Sequence, residues 1–234
     1  MQLFYNSNIK NTDTKFFFDK EESKHIVKVL RKKESDIIFI TNGLGFLFKS
    51  KIILASDKKC EVKILEVQEF KKPTYHLHIA IAPTKMNDRT EWFLEKATEI
   101  GIQEITPIIC ENSERKVYKI DRAEKIIQSA MKQSNQFFLP KINNPISFKE
   151  FIANTNCDFK YIAHCAETER KQLKNCITAN KSYVILIGPE GDFSKKEINL
   201  ALENNYKPVL LGNTRLRTET AAVVACHTIA LINE

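Results

Sequence analysis

Hydrophobic residues in the C-terminal third form two short runs, each followed by a glycine-containing loop and a helical pattern. The first run, Y-V-I-L-I at residues 183–187, predicts a buried strand. The loop G-P-E-G-D-F follows at 188–193, and Ser194 and Glu197 then have the S-x-x-E spacing of a capping box. The helix that begins there should end at the asparagines 204–205, so strand, loop and helix follow one another directly.

The second run repeats this order. Pro208 precedes a predicted strand at 209–211, which ends at Gly212. The loop 213–217 leads to another helix, for which Thr218 is the expected N-cap. That helix is small and apolar on most sides, so it should be buried in the core or against a second subunit.

Strand and helix patterns alternate from residue 73 onward. Such alternation favours an open α/β domain with a largely parallel sheet covered on both faces. The other predicted elements are strands at 76–82, 105–109 and 159–163 and helices at 90–100 and 121–133.

Residues 1–72 are rich in strand signals, including the hairpin dipeptide Asn42-Gly43. They predict a small β-barrel with one helix inserted at 22–32. The segment K-K-P at 71–73 is a plausible hinge between two domains, 1–72 and 73–234. The strand signals lie at 3–5, 16–18, 37–40, 46–54 and 62–67.

The amino-acid composition indicates the class of protein, its partner and its location. The 234 residues are 43% hydrophobic, as in globular proteins, and 36 Lys and Arg against 29 Asp and Glu give a net charge of +7, which favours a polyanionic partner. Six cysteines without C-x-x-C spacing are expected to be reduced and mostly buried in a cytoplasmic protein. There is no run long enough for a membrane span, and we expect no membrane association.

Two further sites have competing interpretations. His164 and Cys165 are adjacent, but neighbouring strand residues point to opposite faces, so a hydrogen-bonded histidine and a buried thiol are favoured over a metal or nucleophile pair. The five histidines have no ligand spacing, and no metal is expected. In the loop 83–89, Asp88 could cap a helix, while Lys85 and Arg89 lie near the carboxyl end of a strand and could contact a ligand.

The glycine loops indicate a site built from backbone. Glycines after strands let the main chain approach a ligand at the carboxyl edge of an α/β sheet. The sequence contains neither G-x-G-x-x-G nor G-x-x-x-x-G-K-[ST], which argues against a dinucleotide fold and a P-loop. Glycine after a strand is also common in ordinary α/β turns, so this pattern alone leaves both interpretations open.

The literal motifs resemble the RsmE family, the 16S ribosomal RNA uridine N3-methyltransferases of the SPOUT superfamily. The resemblance covers nearly the whole chain. It implies a C-terminal SPOUT domain with a trefoil knot and an N-terminal RNA-binding barrel related to PUA and OB domains. It also implies S-adenosylmethionine as cofactor, 16S ribosomal RNA in the small subunit as substrate, and a homodimer formed through the C-terminal domain. The motifs are H-I-V-K-V-L-R at 25–31, K-M-N-D-R at 85–89, E-K-A-T-E-I-G at 95–101, S-A-M-K-Q at 129–133, I-G-P-E-G at 187–191, L-G at 211–212 and L-R-T-E-T-A at 216–221.

The resemblance also implies roles for individual residues. Arg217 would stabilise charge on the target base, and Glu219 or Glu190 would accept its proton. The alternative roles are a phosphate clamp or a dimer salt bridge for Arg217, and loop capping for the glutamates. The expected cofactor residues are Ile187, Gly188, Pro189, Glu190, Gly191, Leu211, Gly212, Leu216, Arg217, Thr218, Thr220 and Ala221, and the expected RNA-contacting residues are Lys24, Lys28, Arg31, Lys85, Arg89 and Lys132.

Three positions depart from the family pattern. Asp192 stands where a second glycine is common, and Gln136 and Asn112 stand where arginine is frequent. These departures put particular RNA contacts in doubt, but not the cofactor site. Two alternatives remain: a SPOUT enzyme acting on another ribosomal or transfer RNA nucleotide, and a non-catalytic RNA-binding assembly factor.

Overall fold

The computed structural model describes residues 1–166 and 169–234, which form two compact units. Each unit has its own cluster of buried hydrophobic residues, so each is described separately. The first unit comprises Met1–Lys72 and Met131–Leu139, and the second comprises Pro73–Ala130 and Pro140–Glu234.

The segment Met131–Leu139 differs from the division expected from sequence, which assigned it to the second domain. It joins the first unit through long-range backbone pairing. The Gly45 amide donates to the Phe137 carbonyl oxygen over 2.8 Å, and the Leu139 amide donates to the Gly43 carbonyl oxygen over 2.9 Å. The ring of Phe70 stacks on that of Phe137 with centroids 4.1 Å apart. None of these contacts can be read from local periodicity.

A five-stranded sheet forms the first unit, as the strand signals predicted. Its buried face holds Phe4, Ile38 and Phe48, which are almost fully inaccessible to solvent. The strands are β1 (Leu3–Tyr5), β2 (Lys15–Phe17), β3 (Ile37–Thr41), β4 (Phe46–Leu54) and β5 (Glu61–Glu69), in the order β1-β3-β4-β5-β2.

The helix predicted at 22–32 is present as a helical segment over residues 20–29, but it is not α-helical throughout. The α-helix α1 (Lys20–Lys24) gives way to a π-helical turn over His25–Val29, in which the Leu30 amide donates to the His25 carbonyl oxygen. Arg31 then takes a left-handed conformation, with φ of 53°, that ends the helix. The wider turn changes the angular spacing of the side chains along the helix. Ile26 in this turn is fully buried.

The second unit is an α/β fold with an eight-stranded sheet in which every pairing is parallel. The alternation of strand and helix patterns predicted this class of fold. The strands are β6 (His76–Ile81), β7 (Glu104–Ile109), β8 (Lys141–Ile142), β9 (Ile146–Ser147), β10 (Phe159–Ala163), β11 (Lys171–Gln172), β12 (Ser182–Ile187) and β13 (Lys207–Leu210), and the helices are α2 (Asn87–Ile100), α3 (Ile120–Gln133), α4 (Phe148–Asn154), a 3-10 turn (Leu173–Asn175), α5 (Lys195–Glu203) and α6 (Thr218–Asn233).

The strand order places three carboxyl ends side by side. The order is β11-β13-β10-β12-β6-β7-β8, with β9 also pairing with β7. Strand β10 therefore lies between β12 and β13, and Ala163 pairs with both Ile187 and Val209. Because all three strands are parallel, the loops that follow them emerge at one edge of the sheet. That edge is where open α/β sheets bind ligands.

Helix starts in this unit confirm one predicted cap and correct two. Ser194 and Glu197 form the complete capping box at the start of α5. Arg217, not Thr218, is the N-cap residue of α6, because Arg217 has an extended backbone and Thr218 is already the first helical residue. Asp88 does not cap α2, which begins one residue earlier with Met86 at the N-cap position.

Candidate functional site

A cavity of about 320 Å³ lies at the carboxyl ends of β10, β12 and β13. Its walls are contributed by the loops after those strands and by the start of α6. More than half of the lining residues are glycine, proline or residues with aliphatic side chains. The lining residues are Ala163, His164, Cys165, Arg170, Ile187, Gly188, Pro189, Glu190, Asp192, Val209, Leu210, Leu211, Gly212, Thr214, Arg215, Leu216, Arg217, Thr218 and Ala221.

Nearly all of the residues expected to hold a cofactor meet in this cavity. Of that set, Gly191 and Thr220 do not line it. They adjoin lining residues in the sequence, and Gly191 is exposed. The two segments 187–191 and 211–221 were predicted separately, and the parallel register brings them together.

Side chains fix the loop after β12. Glu190 accepts a hydrogen bond from the Lys85 amide on Oε1 over 3.0 Å, which links this loop to the loop after β6. Asn112 donates through Nδ2 to the carbonyl oxygen of Asp192 over 3.1 Å. Asn112, which stands where arginine is frequent in the family, therefore supports the loop directly.

Asp192 explains how the chain tolerates the loss of a glycine. Its φ is 61°, the left-handed region that glycine adopts most easily and Asp tolerates. One carboxylate oxygen accepts from the Cys165 amide over 2.8 Å, and the other accepts from the Phe193 amide over 2.9 Å. Asp192 thus adds a hydrogen bond between the loops after β10 and β12 that a glycine could not make.

Two glycines of the cavity have different physical reasons for being glycine. A Cβ at Gly188 would lie 3.1 Å from the Phe193 ring, so a larger residue there would press on that ring. A Cβ at Gly212 would meet no protein atom within 4 Å, and Gly212 does not have a positive φ. Since Gly212 lines the cavity, the space its Cβ would take is cavity space.

The start of α6 is attached to the loop after β12. The Thr218 hydroxyl donates to the Gly188 carbonyl oxygen over 3.1 Å, and both residues line the cavity. Arg217 precedes the helix, is exposed and lines the cavity. Its guanidinium makes no ion pair with the described residues. It is therefore placed to meet a ligand at the cavity mouth.

Glu219 faces a different neighbour. It is 7% exposed and does not line the cavity. Its Oε1 lies 3.9 Å from Arg89 Nε, and its buried Oε2 has no hydrogen-bond partner among residues 1–166 and 169–234. Glu190 does line the cavity, so the two carboxylates considered as proton acceptors occupy distinct environments.

His164 is a cavity residue that sequence reasoning missed. The expectation of a hydrogen-bonded histidine beside a buried thiol is wrong, since Cys165 is exposed and neither ring nitrogen of His164 has a partner within the described part of the chain. Burial lowers the pKa of His164 below its ordinary value, with Arg170 acting in the same direction and Asp192 opposing both. The ring is accordingly neutral near pH 7. No local signal could have found it, because its position depends on the strand order.

The residues expected to contact RNA lie on the surfaces of both units. Lys24, Lys28 and Arg31 are exposed in the first unit, which also contains the half-buried Lys132, and Lys28 pairs with Asp57 at 3.6 Å. In the second unit, Lys85 is exposed and Arg89 is half-buried. Lys85 Nζ lies 2.8 Å from Glu114, and this hydrogen bond raises the pKa of Lys85.

Two kinds of feature are absent from residues 1–166 and 169–234. No helix there has both the length and the apolar character required to cross a membrane. No three or more His, Cys, Asp or Glu side chains in those ranges are grouped so that they could hold a metal ion.

Comparison with protein families identifies the class of fold and site. Residues 70–230 match the model described as an RNA methyltransferase domain, and residues 18–65 match an RNA methyltransferase PUA domain. The chain is thus an RNA methyltransferase by fold class. It is 36% identical over 225 residues to the ribosomal RNA small subunit methyltransferase E of Buchnera aphidicola subsp. Acyrthosiphon pisum, with 90% of this chain and 85% of that protein covered. The protein belongs to the ribosomal RNA small subunit methyltransferase E family, which confirms the resemblance.

Solved structures agree in fold over the full length. A probable rRNA-methyltransferase from Porphyromonas gingivalis is 39% identical, with a TM-score of 0.92, and covers 100% of this chain and 98% of its own. A Legionella pneumophila protein in complex with the bound cofactor SAM is 26% identical, with a TM-score of 0.88 and coverage of 99% and 98%.

Proposed function

We propose that this protein transfers the methyl group of S-adenosylmethionine to N3 of a specific uridine in the 16S ribosomal RNA of the small subunit, in the cytoplasm. One observation carries the proposal. In this member of the family, the ends of three parallel strands form a cavity, and Gly212 lines it. A Cβ at Gly212 would meet no protein atom, so the glycine leaves space in the cavity and does not relieve a clash within the protein. Family membership and the cofactor bound by the Legionella relative support the identity of the ligand.

The residues of the cavity suit a nucleoside attached to an amino acid tail. Backbone groups at Gly188, Leu211 and Gly212 offer donors and acceptors, while Leu216 offers apolar contact. The cofactor supplies an activated methyl group on its sulfonium. The protein's task is then to hold donor and acceptor in line and to exclude water. Backbone loops suffice for this task, which explains why no G-x-G fingerprint is needed.

Arg217 acts on the target base in this proposal. Uridine N3 is a poor nucleophile while it bears a proton, so proton removal must precede or accompany transfer. The resulting negative charge spreads onto the flanking carbonyl oxygens of the base, where a cation stabilises it. The unpaired guanidinium at the cavity mouth suits that role.

Glu219 and Glu190 are the two proposed proton acceptors. Glu190 lines the cavity, although Oε1 already accepts from the Lys85 amide. Glu219 is buried beside Arg89 with Oε2 unpartnered among the described residues. Each glutamate is replaced with Gln, and the pH dependence of the single-turnover methylation rate is measured. If the replaced residue is the proton acceptor, the decrease in rate at low pH disappears. If it only holds a loop in place, that decrease remains.

RNA binding is assigned to the basic residues of both domains, 1–72 and 73–234. Lys24, Lys28, Arg31 and Lys132 would contact phosphates from the N-terminal domain and its associated segment, and Lys85 and Arg89 would contact RNA near the cavity. Contacts of this kind position RNA without reading its sequence. They would also help to draw the target base out of its stack toward the methyl donor.

The proposed assembly is a homodimer formed through the C-terminal domain, in which the C-terminal segment forms a trefoil knot. Helix α6 packs on α2, and these two helices carry exposed apolar side chains: Trp92 on α2 is 43% exposed and Leu231 on α6 is 57% exposed. Such residues are typical of subunit interfaces. Light scattering on the wild type and on Leu231→Glu tests this, since the variant should dissociate without unfolding.

The function itself is tested by methyl transfer from labelled S-adenosylmethionine. The substrates are small subunits from cells lacking this gene, the same RNA stripped of protein, and transfer RNA. Mass spectrometry of the digested RNA should find 3-methyluridine in the small subunit. A different methylated nucleoside would favour another RNA target, and RNA binding without any transfer would favour an assembly factor.

A further inference from the structure

His164 is a buried polar side chain with no partner in the described residues, and it lines the cavity. It is 5% exposed, and both Nδ1 and Nε2 are buried without a hydrogen bond to residues 1–166 or 169–234. Buried polar groups in folded proteins are nearly always satisfied, and an exception in a cavity calls for a ligand or water to supply the missing bond.

The charged neighbours of His164 are already engaged. Asp192 uses its two carboxylate oxygens to accept from the backbone amides of Cys165 and Phe193. Arg170 donates through Nη1 to the backbone carbonyl oxygen of His164 itself. These contacts hold the loop after β10 in place without satisfying the imidazole, so its two nitrogens have no hydrogen-bond partner among the described residues.

The position of His164 determines which part of a ligand it can meet. It directly follows β10, the strand between β12 and β13. The loops after β12 and β13 therefore form the two sides of the cavity, and His164 lies between them. In S-adenosylmethionine the ribose lies between the adenine and the methionine tail, so a cofactor that spans both loops presents its ribose at the middle.

The chemistry of the ring agrees with that position. A neutral imidazole has one donor nitrogen and one acceptor nitrogen. A ribose hydroxyl group can both donate and accept, so it can bond to either nitrogen of the neutral ring. A carboxylate only accepts, so it can bond only to the nitrogen that carries the proton.

We propose that His164 is a cofactor-binding residue whose imidazole hydrogen bonds to a ribose hydroxyl group of S-adenosylmethionine. The inference rests on the proposed function, since it names a residue of that same cofactor site.

The test measures equilibrium binding of S-adenosylhomocysteine and its 2′-deoxy and 3′-deoxy analogues by calorimetry. The proteins are the wild type, His164→Phe, which keeps the ring shape without hydrogen bonds, and His164→Gln, which restores a donor and an acceptor. His25→Gln is the matched control, because His25 lies in the first unit and does not line the cavity. Thermal unfolding of each variant without ligand checks that the fold is retained.

We expect His164→Phe to bind S-adenosylhomocysteine about tenfold more weakly than the wild type, the usual effect of one lost hydrogen bond. At least one deoxy analogue should bind the wild type about tenfold more weakly than S-adenosylhomocysteine does. His164→Phe should bind that analogue and S-adenosylhomocysteine with equal affinity. His164→Gln should recover part of the affinity, and His25→Gln should match the wild type.

The inference would be overturned if His164→Phe bound S-adenosylhomocysteine as tightly as the wild type does. It would also be overturned if removal of a ribose hydroxyl weakened binding equally in the wild type and in His164→Phe. Either result would leave the proposed function standing. Failure of the wild type to bind S-adenosylmethionine or S-adenosylhomocysteine at all would overturn the proposed function together with this inference. If His164→Phe does not fold, the wild type decides, since equal affinities for S-adenosylhomocysteine and both deoxy analogues contradict the contact.

Discussion

The Thr218 hydroxyl donates a hydrogen bond to the Gly188 carbonyl oxygen over 3.1 Å, and this bond joins the first turn of α6 to the loop after β12. The two residues are 30 positions apart, and both line the cavity. Thr218 is buried, so the carbonyl oxygen has little access to water as an alternative partner. The bond therefore links the integrity of the fold to the shape of the site.

Thr218→Val should break this link while preserving the side-chain shape. We expect a loss of about 1–3 kcal/mol in the free energy of unfolding, because a buried acceptor loses its donor, and weaker binding of S-adenosylmethionine. Thr228→Val is the matched control, since the Thr228 hydroxyl donates only to the carbonyl oxygen of Val224 within the same helix. Urea denaturation and calorimetry of both variants check the prediction, and equal effects of the two substitutions would contradict it.

Alanine at the two cavity glycines should have opposite consequences. Gly188→Ala should destabilise the apo protein by about 1–3 kcal/mol, because its Cβ would press on the Phe193 ring. Gly212→Ala should leave the melting temperature of the apo protein nearly unchanged, because its Cβ meets no protein atom within 4 Å. It should nevertheless reduce cofactor affinity, since the methyl group occupies cavity space. Unchanged cofactor affinity in Gly212→Ala would show that the ligand does not approach this residue.

Arg217→Ala should abolish most methylation with little effect on the fold. The expected loss in the single-turnover rate is about 100- to 1000-fold, as for other groups that stabilise developing charge. Arg217→Lys should retain part of the activity, because it keeps the positive charge but not the planar guanidinium. Labelled methyl transfer at saturating cofactor distinguishes a chemical role from a binding role, and a wild-type rate in Arg217→Ala would remove this residue from the mechanism.

His78 should make the protein less stable in mild acid. Burial lowers its pKa from 6.5 to about 4, against the opposing effect of Glu104, and its Nε2 lies 2.7 Å from Thr106 Oγ1. Between pH 6.5 and 4 the unfolded chain binds a proton that the folded chain does not, so stability is full above 6.5 and falls as pH drops through this window. The loss should total about 3 kcal/mol.

Urea denaturation at a series of pH values measures this effect. His78→Gln keeps a polar side chain but cannot titrate, so the fall between pH 6.5 and 4 should shrink by nearly the full contribution of one group. Glu104 contributes a separate fall at lower pH: burial raises its pKa, but bonds from Asn143 and Lys141 and the charge of His78 outweigh that effect and leave it below its ordinary value. An identical pH dependence in wild type and His78→Gln would assign the acid sensitivity to other groups.

Local sequence patterns were sufficient to predict the strands, helix caps and helix ends that have short-range sequence signals. The run 183–187, the capping box at Ser194 and Glu197, and the ending of α2 at Gly101 all appear where the sequence indicated. Each rests on short-range physics: burial of an apolar run, satisfaction of orphan amides, and the left-handed conformation of glycine. The motifs at 187–191 and 216–221 were also sufficient to indicate the family.

Tertiary structure decided the rest, because it depends on which strands become neighbours. Only the placement of β10 between β12 and β13 brings His164 to the cavity, and only long-range backbone pairing draws Met131–Leu139 into the first unit. The hydrogen bond from the Thr218 hydroxyl to the Gly188 carbonyl oxygen likewise joins residues that are distant in the sequence. The helices and strands, the family and the loops of the site could all be inferred from the sequence alone. The order of the parallel strands, which decides which side chains face one another, could not. The physical reason is that hydrogen bonding between strands leaves no local periodic signal in the sequence.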